Sequence, residues 1–316
     1  MQEDGETIEF IGLKKWTVKQ LQDSVRKHDP KGKLSFCAAT LKSELKFCDA
    51  SVIYYYRNDT TYDGVITVIE PQDSLLVKRN ALFEGENDLQ SEWYDFSDKY
   101  RKYNYERTLA QRTRLLTDDS AHIELEQFVK RAQRIKIDTA IFREIRTLLR
   151  TNPVNVKNLS KIVHTSWNPY SRGVAILAMS GLPDNDTCLA SVVHGLLDIA
   201  VSSASVIPAE ESLSFIMKHR KNQILLPPLY KDLRTLVNGA NLFAYGEVMK
   251  LISLGKPTEK DFREIFTTEH SRLLLLAHLR AMTPLARKFA AELITTINPK
   301  FASLSEAEQK KYLNIR

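Results

Sequence analysis

Apolar and polar side chains alternate along residues 7–11, Thr-Ile-Glu-Phe-Ile, the period-2 pattern of a strand with one buried face, and Gly12 ends it. The period then lengthens. Val18, Leu21 and Val25 recur at the spacing of one helical face. They follow Thr17-Val18-Lys19-Gln20, in which Gln20 is placed to reach back to the Thr17 amide as the second half of a capping box. Trp16 and Leu21 flank that cap at the spacing of a hydrophobic staple, and His28-Asp29-Pro30 stops the helix. A second helix is predicted over 35–46, with Leu34, Cys37, Ala38, Leu41 and Leu45 on one face. Two strands follow, 51–57 and 64–70, joined by a polar loop ending Asp63-Gly64, and Pro71 closes the second. Residues 7–71 therefore read as β-α-α-β-β.

From Leu82 onward the strand pattern is gone. Residues 88–116 read as one long helix or two joined ones, with Trp93, Phe96, Tyr100, Tyr103 and Leu109 along it. Further helices are predicted near 120–135, 138–150, 155–166, 170–181, 186–199 and 209–220, then at 228–238, 241–254, 258–268, 271–282, 284–297 and 305–313. Asn152-Pro153, Asn168-Pro169, Lys256-Pro257-Thr258, Thr283-Pro284 and Asn298-Pro299 punctuate them. Short helices with short links suggest antiparallel pairs stacked in series. Residues 159–199 and 258–297 resemble two HEAT-type units at a period near 40. The expected fold class is α+β: a small βααββ module, then a mainly α-helical, HEAT-like repeat domain. The expected division is 1–79, then 80–150 as linker and long helices leading into the body, then 151–316.

The N-terminal order resembles the POTRA module of bacterial outer-membrane assembly and secretion proteins. The matching positions are the strand ending Phe10-Ile11-Gly12, the first helix around Leu21, and the closing strand Val65-Ile66-Thr67-Val68-Ile69-Glu70. The likeness covers about a fifth of the chain, and Phe47-Cys48-Asp49 stands where a glycine is usual. What it implies is protein binding through an exposed sheet edge that accepts a partner strand. In POTRA-like strand order the edge is strand 51–57, which carries one charge and no proline and so lacks most devices that blunt an edge. The candidate partner-binding residues are Ser51, Ile53, Tyr54, Tyr55, Tyr56 and Arg57. The competing reading is that the loop 58–63 or the helix after Asp88 covers this edge. One face of the sheet should pack on the two helices; the other meets the helical domain, a partner or solvent.

Composition adds little chemistry. The net charge is +6, split as 10 basic and 12 acidic residues in 1–75, 15 and 13 in 76–150, and 20 and 14 in 151–316, with no uninterrupted basic tract. Eleven glycines in 316 residues favour helices over turn-rich sheets. The longest apolar runs are far too short to cross a bilayer. The opening Met-Gln-Glu-Asp-Gly is not a signal peptide, so the protein is expected in the periplasm or cell envelope if one has been removed, and in the cytoplasm otherwise. Cys37 and Cys48 bracket a predicted helix and lie too far apart for a disulfide. No HExxH, Cys-x-x-Cys, GxSxG or GxGxxG occurs, and Gly255-Lys256-Pro257-Thr258 fails as a P-loop because proline separates lysine from threonine. Asp184 and Asp186 read as helix caps rather than cation ligands. The stretch Lys99–Arg107 with Arg112 and Arg114 mixes tyrosine with positive charge, which suits stacking on single-stranded nucleic acid or an aromatic core stripe. The functional expectation is a non-enzymatic, cofactor-free, protein-binding scaffold of the bacterial cell envelope. Its alternatives are a nucleic-acid-associated helical-repeat protein using the basic helices of 99–150, and an enzyme whose site one sequence does not reveal.

Overall fold

The first helix starts as its residues dictate: the Thr17 amide donates to Gln20 Oε1 (2.8 Å) and the Gln20 amide to Thr17 Oγ1 (3.2 Å). A computed structural model describes residues 2–3, 6–28, 37–56, 62–76, 89–100, 102, 140–166, 168–182, 185–197, 203–220, 223–239, 242–280 and 284–315. Their elements begin β1 (Gln2–Glu3), β2 (Glu6–Ile11), α1 (Val18–His28), α2 (Cys37–Ser43), β3 (Asp49–Tyr56) and β4 (Tyr62–Ile69). Helical residues 91–100 (α3) and 140–151 (α4) follow. After them come α5 (Val156–Thr165), α6 (Pro169–Ser180), α7 (Asp186–Gly195) and α8 (Ser203–His219). The last are α9 (Tyr230–Leu236), α10 (Leu242–Leu254), α11 (Glu259–Ile265), α12 (Glu269–Arg280), α13 (Pro284–Ile297) and α14 (Glu306–Tyr312). The class is α+β and mostly helical, and among the described residues every strand lies before Pro71. The predicted helix 120–135 and most of 88–116 lie outside the described residues.

The division expected from sequence follows chain order. Backbone contacts follow space, and they gather 1–57, 61–79 and 221–316 into one compact unit and 58–60 with 80–220 into another.

In the first unit the sheet order is β1-β2-β4-β3. β2 and β4 are parallel, from Thr7 opposite Asp63 to Ile11 opposite Thr67, so the chain must cross over between them, and α1, α2 and β3 make that crossing. β3 is antiparallel to β4, with Asp49 opposite Ile69 and Tyr56 opposite Tyr62. The short strand β1, antiparallel to β2, has no counterpart in the sequence pattern. One sheet face carries Ile8, Ala50, Ile66 and Val68, which form a core with Leu21 and Val25 of α1, Leu41 of α2, and Phe47. Alternation sends Ile11, Thr67 and Ile69 to the other face, and all three are buried. The C-terminal helices of the same unit cover that face: α12 runs against β2, and α10 against β3.

Those helices lean on one another: α10 and α12 pack on α13, and α9 packs on α10 and α11. Thr258 and Asp261 close a capping box on α11, Ser305 and Glu308 another on α14, and Pro284 opens α13. Tyr230 donates to Asp261, and Arg234 holds both the backbone oxygen (2.5 Å) and the carboxylate of Glu264, which clamps α9 to α11. Burial and the Asp261 carboxylate push the Tyr230 phenol up to about 12.

The second unit is built round α6. Ten consecutive residues, Ser171–Ser180, are buried, because α5, α7 and α8 all pack on this helix and Ile145 and Leu149 of α4 close over Gly181 at its end. Asn155, Asn168 and Asn185 cap α5, α6 and α7 through their side chains, so Asn185, rather than Asp184 or Asp186, starts the helix at that loop; Asp186 is paired with Arg220 instead. Trp93, Phe96 and Tyr100 of α3 are buried, as the aromatic spacing predicts. α8 begins six residues before the predicted start. It runs through Pro208, whose missing backbone hydrogen bond is offset by the packing of α8 along α6.

Candidate partner-binding edge

β3 is the last strand in the sheet order, with β4 on one side and no strand pairing on the other among the described residues. Its register sets Ser51 opposite Thr67, Ile53 opposite Val65, Tyr54 opposite Gly64, Tyr55 opposite Asp63 and Tyr56 opposite Tyr62. Five of the six candidate residues therefore stand together on the edge strand. The sixth, Arg57, lies outside the described residues, as does most of the loop 58–63. Asp49, the only charge in β3, is buried at its start, where Oδ1 accepts from the Ala50 amide (2.9 Å).

The end of β4 is fastened to the turn after β2. Gly12 has φ +94°, and a Cβ there would lie 2.3 Å from the Val68 carbonyl oxygen, so only glycine lets β2 turn away so close to β4. The turn aims three successive amides at one carboxylate. Glu70 Oε1 accepts from the Lys14 (2.7 Å), Lys15 (3.0 Å) and Trp16 (3.2 Å) amides, and Gln72 Nε2 donates to Oε2 (2.6 Å). Burial pushes this carboxyl up, but the bonds from Gln72 and the three amides outweigh it and hold it below its ordinary range. Lys14 Nζ reaches Asp73 Oδ1 at 2.9 Å. Glu70 is thus a fastener between the β2–α1 turn and the end of the sheet. Sequence reasoning noticed its position and missed its role, because backbone amides leave no residue signature.

Among the described residues, no group of three or more His, Cys, Asp or Glu is arranged to hold a metal ion. A shallow depression on α13, lined by Ala291, Glu292, Thr295 and Thr296, is open to solvent. His270 is buried on α12 with Nε2 donating to the Asn238 carbonyl (3.2 Å). Burial, with the nearby Lys14 charge, lowers its pKa against Asp73 and that hydrogen bond. His278 lies deeper, stacked on Tyr245 of α10 with ring centres 4.2 Å apart. These are core histidines. No helix among the described residues is long and apolar enough to cross a membrane. In comparisons with known protein families, curated proteins and solved structures, nothing matches this chain.

Proposed function

We propose that this protein is a non-enzymatic scaffold whose first unit takes a partner strand along β3. The observation that carries the reading is the strand order β1-β2-β4-β3, which among the described residues leaves one long flank of β3 without a strand. Eight residues, rich in β-branched and aromatic side chains and free of proline, offer a partner a row of backbone donors and acceptors. The βααββ order with its last strand central supports the POTRA-like reading, and with it a place in the bacterial cell envelope. The helical remainder, read as HEAT-like, supplies the body of the scaffold.

α10 packs against β3 from the covered face, and the competing reading is the one expected from sequence, that the loop 58–63 or the helix after Asp88 satisfies those backbone groups. Amide hydrogen exchange on the free full-length protein separates the two. On the proposed reading the amides of 51–56 exchange fast at alternate positions while those of 64–69 are protected. Uniform protection along 51–56 equal to that of 64–69 would mean that the edge is already satisfied within the chain, and the proposal would fall.

A further inference from the structure

α4 and α5 each carry cations on one arc. Arg143, Arg146 and Arg150 stand at i, i+3 and i+7 on α4, and Lys157 and Lys161 at i and i+4 on α5, where His164 follows at i+7 with its ring stacked on His194, ring centres 3.8 Å apart; all six are exposed. Each ladder spans about 10 Å of helix. The buried stripes, Ile141 and Ile145 on α4 and Leu159, Ile162 and Val163 on α5, point elsewhere. Residues 140–165 contain five Lys and Arg and one acid, Glu144, which Lys99 neutralises at 2.9 Å. None of those five cations forms an ion pair among the described residues. Among the described residues of the unit the other acids are Asp186, which pairs with Arg220, Glu92, Asp95 and Asp98 of α3, and Glu210 and Glu211 of α8.

The exposed residues of these helices also show which polyanion fits. They are Ala140, Thr147, Thr151 and Asn158 besides the ladders, with no large apolar side chain among them. A protein interface needs an apolar centre, which this surface lacks. Single-stranded nucleic acid needs exposed aromatic platforms, and among the described residues α4 and α5 expose no Phe, Tyr or Trp: Phe142 is half-buried and stacked on Phe215, with ring centres 3.7 Å apart. What remains suits a phosphate backbone. Guanidinium forks take phosphate oxygens bidentately, and hydroxyls and amides add neutral contacts. A duplex strand offers one phosphate per about 3.4 Å of axis, so a 10 Å ladder covers about three. We infer that α4 and α5 form a surface for the backbone of double-stranded nucleic acid, read without regard to sequence. It is independent of the β3 edge.

The test is fluorescence anisotropy of the full chain with a labelled duplex of about 20 base pairs across about 50–200 mM salt. The logarithm of affinity is expected to fall linearly with the logarithm of salt, with a slope of about −4.5. Replacing Arg143, Arg146 and Arg150 together by glutamine should flatten the slope by about 2.7, and Lys157→Gln with Lys161→Gln by about 1.8. The three-arginine-to-lysine variant should keep the slope, and circular dichroism should show all variants folded. No binding at low salt, or an unchanged slope with all five cations removed, would overturn the inference. So would competition by poly-glutamate as effective as that by unlabelled duplex, which would assign the surface to an acidic protein.

Discussion

His278 shows how much one buried nitrogen can decide. Its Nδ1 lies 2.8 Å from the Leu274 carbonyl, an acceptor only, so Nδ1 carries the proton and Nε2 is bare, without a partner among the described residues. Burial lowers its pKa to about 4, against the Leu274 bond that raises it. The unfolded chain titrates near 6.5, so between those values it binds a proton that the folded chain refuses. Stability is full above about pH 6.5 and falls as pH drops toward 4. Urea unfolding at pH 7 and 4.5 should show the wild type losing roughly 2 kcal/mol more than His278→Phe, which keeps a ring on Tyr245. Equal losses would mean that the imidazole is not held neutral. Glu70 has the opposite chemistry, a carboxylate supplied with donors, and it too was only half legible in sequence. Position 70 could be read as a strand end; the amides that hold it come from a turn 55 residues away.

At the scale of elements the sequence pattern served well wherever a periodic stripe had a clear start. α1, α6, α11, α13 and α14 begin at capping or proline signals that are visible in the residues. Where packing overrode local preference the pattern misled, as at Pro208 inside α8. β1 is two residues long and has no pattern to read. The stripe on α12 is a sharp case, because Leu274, Leu275 and Leu276 are consecutive and only geometry tells which are enclosed. All three are, with Leu276 at 4% exposure. Leu276→Ala should therefore cost about 2–5 kcal/mol in denaturant unfolding, and a loss under about 0.5 kcal/mol would place that side chain outside the core. β3 as an edge was expected only through the POTRA-like strand order, since the sequence pattern does not say which strands pair; the sheet sets β4 between β2 and β3.

At the scale of the molecule the sequence could say that a second sheet face needed covering, and not which helices would cover it. Apolar periodicity marks a buried face but carries no address. The address is 221–316, so the first unit is discontinuous, with 80–220 set between its two parts. A chain of 1–79 joined to 221–316 by a flexible linker should unfold cooperatively, and 1–79 alone should not, because Ile11, Thr67 and Ile69 would face water. Chemical denaturation followed by circular dichroism distinguishes them; a cooperative 1–79 would show that the module needs no cover. Discontinuity also sets a timetable during synthesis. At roughly 5–20 residues per second, 80–220 takes on the order of 10–30 s to leave the ribosome, and through that interval the nascent sheet waits with an apolar face bare. The edge strand and that face are then open together to whatever holds unfinished chains. Until the last helices arrive, the sheet made before them is a half-covered layer whose burial depends on chain still to come.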